Sequence, residues 1–332
     1  MSKEGTKISW MTDGRNEASG PLAQVGSGKG GTLNSVVGCS PVSPGCANCY
    51  AVNECWRMAH NSRVAKDYNG IVEKKGERVR FTGNVNFLKP RLMEVLNDGE
   101  HHAWFVNSLS DLFHENLSEE IIIDHLAVCR IAYWEEFRIL TKRQKRLLEL
   151  APRIIWPPNV QMGVTVENID HLVRIPALGK TGAVHKFVSF EPWLSPWPPA
   201  KGCTLAESFP REIEGNRYER LADLLKAAGI ECCIVGGESD RDSHHARYMD
   251  LRDAKYILEE TKAAKAHPCL KQLGTRWAVA SNTVRMRRVD GEPIKGANHG
   301  AAKELWPEDL QQYSQNWPFL PLEHDHRTMP HT

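Results

Sequence analysis

Short apolar runs alternate along this chain with stretches in which apolar residues recur at helical spacing. The runs LNSVVG (33–38), RVRFTG (78–83), AWFVNS (103–108), FRILT (137–141), VQMGVTV (160–166), KFVSFE (186–191), CCIVGG (232–237) and CLKQL (269–273) predict eight strands. Residues 119–134 predict a helix: Ser118 stands at the N-cap, Glu119 and Glu120 fill the first turn, and Ile122, Leu126, Cys129 and Tyr133 share a face. A second helix spans 217–228, with Leu221, Leu224, Leu225 and Ala228 on one side and Gly229 as its stop, and a third spans 247–265. Near-continuous apolar strands separated by helices indicate a parallel sheet covered on its outer face. Eight of them favour an α/β fold built as a parallel (β/α) barrel, complete or partly open with six to eight strands, over a Rossmann sheet.

The polar positions support the barrel. Asn107, Ser108 and Asp111 follow one strand, then Thr141, Lys142 and Arg143, then Thr165 and Glu167, then Glu191, then Gly237 and Glu238. In a parallel barrel all C-terminal strand ends meet on one face, where sites are built. The expected organisation is a single barrel domain over 1–332, with a flexible Gly/Ser-rich insertion at 13–32 and a C-terminal extension from about 275. GSGKGG, inside that insertion, is not a P-loop, because Lys29 is followed by glycine and no apolar strand precedes it.

Composition narrows the partners little. With 332 residues and a net charge of +1, overall charge selects neither nucleic acid nor an anionic membrane. No apolar run approaches the roughly 18 residues of a membrane span, and MSKEGTKISW lacks a secretory apolar stretch. The expectation is a cytoplasmic protein. Nine cysteines, an odd number, argue against a complete disulfide framework.

Three of those cysteines crowd into GCSPVSPGCANCY: Cys39, six residues, Cys46, two residues, Cys49. Thiolates are soft ligands suited to zinc or iron–sulfur clusters. Three on one loop suit a [4Fe–4S] cube with one iron left open; zinc instead needs Cys55 or His60 to complete four ligands. Cys55 falls on the helical stretch AVNECWRMAH, which is expected to turn it away.

The run GCSPVSPGCANCYA, followed in order by FVNSLSDLFHENLS, ILTKR, MGVTVEN, FVSFEPWL, IVGGESD and KQLG, resembles a phage-associated, three-cysteine family of radical S-adenosylmethionine (SAM) proteins, divergent relatives of spore photoproduct lyase. The resemblance runs from about Thr6 to Gly274. It implies a radical SAM-type barrel with Cys39, Cys46 and Cys49 as metal ligands, and with a [4Fe–4S] cluster and S-adenosyl-L-methionine as cofactors. The commoner motif of such enzymes has an aromatic residue before its third cysteine; here Asn48 stands there, and Tyr50 takes the contact to adenine. Around the cofactor the expected contacts are Thr82, Gly83 and Asn84 to the methionyl amino group and Lys142 or Arg143 to its carboxylate. Asn107, Ser108 and Thr165 are expected at ribose hydroxyls, and Glu167 at a ribose or the amino group. Glu191, Glu238, Asp111 and His114 lie further round and face the substrate as candidate catalytic groups.

The cysteines do not choose the substrate. Lys142, Arg143, Lys145 and Arg146 form one basic cluster and Arg285, Arg287 and Arg288 another, while Trp193 and Trp197 offer stacking faces. With the phage setting of the resembled family, these features lead to a modified thymine in DNA as the substrate. The activity so implied is isomerisation of an N-linked glycinyl-thymidine to its C-linked form, in a host-cell cytoplasm and with a reducing donor such as a flavodoxin-type protein. The competing readings are repair of a thymine photoproduct, peptide modification, and a zinc-stapled nucleic-acid-binding protein without catalysis.

Overall fold

The computed structural model describes residues 29–97, 102–196, 204–239, 245–287, 290 and 292–313. Seven parallel strands form its main sheet: β1 (Lys29–Leu33), β6 (His102–Val106), β7 (Glu136–Thr141), β8 (Val160–Thr165), β9 (His185–Phe190), β12 (Cys232–Gly236) and β13 (His267–Gln272). They lie in that spatial order, so each strand pairs with the next one in the chain. A sheet wound one way only, with every crossover on its outer side, curls rather than opening into a two-sided Rossmann sheet. The result is a half-barrel.

Helices clothe the convex side. They include α3 (Glu119–Ile131), α4 (Gln144–Leu150), α5 (Arg174–Gly179), α6 (Leu221–Ala227) and α7 (Leu251–Ala263). Ser118 caps α3 by accepting from the Ile121 N–H, and Asp250 caps α7 through the Arg252 N–H. The main core lies between these helices and the sheet, around Phe137, Ile139, Met162, Val164, Val188 and Val235. On the concave side Ala103, Phe105, Phe187, Cys232 and Ile234 form a smaller cluster. Beside it the buried Glu136 carboxylate accepts from Arg138 Nε at 2.8 Å and Gln161 Nε2 at 2.7 Å.

Several expected boundaries shift. The run 33–38 is two pieces, the end of β1 and the short β2 (Val36–Val37), and β1 begins at Lys29 inside the expected insertion. The rest of 13–28 lies outside the described residues. The run 78–83 is not a barrel strand: β4 (Arg78–Phe81) folds back antiparallel on β3 (Val72–Lys75), away from the main sheet. Its strict alternation R-V-R-F is the pattern of a half-exposed hairpin, not of a strand covered on both faces. A second hairpin, β10 (Arg211–Ile213) with β11 (Asn216–Tyr218), takes the start of the helix expected from 217. Tyr133 falls beyond α3 and is 41% exposed, so it is not on the buried face.

Between β2 and the main sheet the chain also builds α1 (Tyr50–Ala59), β5 (Asn86–Phe87) and α2 (Lys89–Met93). After β13, α8 (Thr275–Ala280) and α9 (Glu308–Gln311) fold back. Leu273 N–H donates to the Gly300 carbonyl, and Trp306, Leu310 and Tyr313 enter the main core. Among the described residues no helix is long and apolar enough to cross a membrane.

Candidate functional site

The cysteine loop leaves β2 and lies across the rim formed by the C-terminal ends of the sheet strands. Four sets of contacts hold it there. The first is Arg143, just past β7, which donates from Nη2 to the Ser40 carbonyl and Oγ (both 3.0 Å), and from Nη1 to Cys39 Sγ at 3.8 Å. The same guanidinium donates to Asp111 Oδ2 at 3.1 Å and, from Nε, to Glu115 at 2.7 Å. A guanidinium has five N–H donors, and here all five are engaged.

The second is Glu167, beyond β8. Its fully buried carboxylate meets Lys142 Nζ at 2.7 Å and Arg174 Nη1 at 2.6 Å, and accepts a hydrogen bond from Ser43 Oγ. A Cβ on Gly45 would stand 2.7 Å from Glu167 Oε1 and 2.9 Å from Lys142 Nζ, so only glycine lets the loop settle on this ion pair. The third is Glu238, beyond β12, which accepts from Asn48 Nδ2 at 3.0 Å and from the Arg247 side chain. Arg247 in turn donates to the Pro44 carbonyl at 2.7 Å. The fourth is Tyr50, whose hydroxyl donates to the Ser108 carbonyl past β6 at 3.0 Å.

Electrostatics distinguish the three thiols. Burial pushes Cys39 up to about 12 against the pull of Arg143, and the neighbouring Cys49 and Cys46 add to the rise. Burial also raises Cys49, at the N-cap of α1, against backbone N–H groups of Ala51 and Val52. Cys46 is the exception. Burial acts to raise it, but the Lys142 ammonium and hydrogen bonds at Val42 and Ser43 outweigh burial and bring it below the ordinary thiol value. The two cations at the end of β7 act on different thiols, Arg143 on Cys39 and Lys142 on Cys46 and Cys49.

Cys55 is turned away as expected: it is fully buried among Val37, Ala51, Tyr68, Ile71 and Leu109, and its thiol is pushed up to about 12 by burial. His60 packs against Trp56 at a tilt of 46° with ring centroids 4.2 Å apart, its Nδ1 at 2.8 Å from the Trp56 carbonyl. Neither completes a fourth ligand position. Among the described residues no three His, Cys, Asp or Glu side chains are arranged around a single ion. Three thiols on one loop are the donor type that zinc and iron–sulfur clusters both take, and the two cations beside them, Lys142 and Arg143, are paired with Glu167 and with Asp111 and Glu115.

The remaining expected residues divide by position. Asp111 has both oxygens filled by Phe113 N, Thr141 Oγ1, Lys142 N and Arg143 Nη1. His114 accepts from Asn116 N at Nδ1, which places its proton on Nε2, 2.9 Å from Ser40 Oγ. Both brace the Cys39 side of the loop. Asn107 is buried and directed inwards, its Oδ1 accepting from Val36 N and Ser35 Oγ, and Thr165 is buried too. Thr82, Gly83 and Asn84 end the hairpin rather than a sheet strand, yet the Asn84 carbonyl lies against Gly38, next to Cys39. Glu191 makes no direct contact with the loop among the described residues and pairs with Lys271 Nζ at 2.7 Å. Trp193 is 1% exposed and donates to Asp253, so it offers no stacking face; Trp197 and Arg288 lie outside the described residues. The first basic cluster also dissolves: Lys142 and Arg143 are committed inwards and Arg146 pairs with Glu149, leaving Lys145.

A family model covers residues 29–303 of the chain, from β1 to the turns that close over β13. The chain belongs to the DUF5131 family of proteins of unknown function. No curated protein and no solved structure matches it. For a DUF5131 chain, motif reading alone finds the cysteines and the strand-end polar residues. It misses Ser40, Ser43, Gly45, Arg174 and Arg247, which hold the loop in place. Ser40, Ser43 and Gly45 sit inside the cysteine run itself; Arg174 and Arg247 lie in stretches with no local signal.

Proposed function

We propose that this DUF5131 protein is a radical SAM enzyme. The observation that carries the reading is the three-cysteine loop lying on the C-terminal rim of a parallel half-barrel, with Lys142 and Arg143 beside the thiols. Cys39, Cys46 and Cys49 would hold a [4Fe–4S] cluster, which would supply, together with SAM, one-electron chemistry able to take hydrogen from an unactivated carbon. The chain's own residues position and screen. Arg143 fixes the Cys39 side of the loop and has no N–H left in this arrangement, so Lys142 is the better partner for the SAM carboxylate. Tyr50, next to Cys49 and 52% exposed, would cover adenine. Glu191, paired with Lys271, would meet the substrate.

The substrate we assign, from the resemblance carried by the motif series, is a modified thymine in DNA, with conversion of an N-linked glycinyl-thymidine to its C-linked form. A flavodoxin-type donor would supply the electron. Anaerobic purification tests the first part: about four iron and four sulfide per chain are expected, and neither in the Cys39→Ala/Cys46→Ala/Cys49→Ala variant. Stoichiometric zinc without sulfide overturns it. Mass spectrometry of nucleosides after incubation of reduced enzyme, SAM and glycinyl-modified DNA tests the second; SAM cleavage with the linkage unchanged removes the isomerase and keeps the radical enzyme.

A further inference from the structure

Between Arg57 and Arg91 the chain carries nine Lys and Arg against three Asp and Glu, in a molecule whose net charge is +1. This stretch runs from the end of α1 through the β3–β4 hairpin to α2, and it packs on a satellite core around Val37, Cys55, Tyr68 and Ile71. Asp67 and Glu73 are used by Arg91 and Arg80. Arg63, Lys66, Lys74, Lys75, Arg78 and Lys89 are all exposed, with no carboxylate partner among the described residues. Lys75 even stands directly opposite Arg78 in the hairpin register. Like charges in that position destabilise a sheet pair, so folding alone gives no reason for the arrangement.

The surface contains a groove of about 470 Å³ lined by Trp56, His60, Lys66 and Gly70, with the indole and imidazole rings 4.2 Å apart. No large apolar side chain in the stretch is exposed, so it lacks the anchor that a membrane-bound hairpin inserts. Clustered cations with an aromatic-lined groove suit a phosphate backbone. We propose that this module docks the phosphate backbone of a nucleic acid and leads it past the cysteine loop. It is joined to that loop by α1, whose N-cap is Cys49, and touches it where the Asn84 carbonyl lies against Gly38. The proposal goes beyond the radical reading: it names the surface a DNA substrate would use, and binding at that surface needs no radical chemistry.

The test is fluorescence anisotropy of the full-length protein with a labelled 20-base-pair duplex and a 20-nucleotide single strand, over a range of salt. Lys74→Ala/Lys75→Ala/Arg78→Ala is expected to weaken binding at least tenfold at low salt. The duplex log K–log salt slope should flatten by about 0.9 for each phosphate that is no longer neutralised. A charge-matched control, Lys145→Ala/Lys226→Ala/Lys295→Ala, is expected to change affinity less than twofold. Lys75→Glu separates binding from folding: it removes the like-charge pair, so the melting temperature holds or rises while affinity falls. Equal weakening in the control overturns the proposal, as does unchanged binding in the hairpin variants, or hairpin-dependent binding to phosphatidylserine vesicles with none to either oligonucleotide. A colourless protein whose nucleic-acid binding follows the hairpin removes the radical reading alone; a brown protein whose binding ignores it removes this proposal alone.

Discussion

Within the cysteine loop, thiols three to ten positions apart meet different surroundings, and their reactivity follows. In metal-free protein at pH 8, Cys46 is expected to alkylate with iodoacetamide well before Cys39, because Lys142 favours its thiolate while burial holds Cys39 near 12. Peptide mass mapping over time checks the order, and Cys39 modified first would contradict it. Gly45→Ala should overpack the contact with Glu167 and Lys142, lowering stability by about 1–3 kcal/mol and reducing bound iron. Iron content equal to wild type would show that the loop tolerates the methyl group. The spacing of the three cysteines was legible in the sequence because ligands on one loop are local. Arg143 was legible as a basic residue at a strand end, but its saturation was not, since Asp111 and Glu115 reach it from one distant segment and Ser40 from another.

Among the elements, strand ends and loop are joined by buried ion pairs, and these make the molecule acid-sensitive. Burial pushes the Glu167 carboxyl up, but Lys142, Arg174 and Ser43 outweigh it and hold it below the usual carboxylate range. A carboxyl lowered on folding stabilises the protein above its unfolded value of about 4.3. That contribution disappears as pH falls through the folded value. Glu167→Gln leaves two buried cations facing each other and should cost about 3–5 kcal/mol at neutral pH, while flattening the decline below pH 4. Urea unfolding of both proteins across that range is the measurement; parallel curves would assign the acid sensitivity elsewhere. Element identity was readable wherever apolar runs were continuous, as in β6 to β9. The hairpin was misplaced because Val79 and Phe81 are apolar enough to suggest a barrel strand. Its alternation marked it as half-exposed, but which partner it paired with was not encoded locally.

For the whole molecule, order is set by the sheet, so β7, β8 and β9 at its centre should show the slowest amide exchange and the edge strand β1 the fastest. Exchange monitored by mass spectrometry would contradict this if β1 were as protected as β8. Under the sheet's rim His125 is wholly buried, and burial holds it near 3, far below its unfolded value of about 6.5. The unfolded state therefore takes up a proton that the folded state refuses. Stability should therefore fall as pH drops below about 6.5 and level off once the folded value is passed. His125→Asn should remove that slope in urea titrations. The parallel α/β class, the cysteine loop and the polar residues at strand ends can be read from the chain alone, because periodicity and short-range spacing are local properties. Only the tertiary structure decided that the sheet is a half-barrel of seven strands, that Arg143, Glu167 and Glu238 clamp the loop, and that the basic hairpin stands beside it. Those outcomes depend on which distant segments share buried space, and no local pattern carries that information.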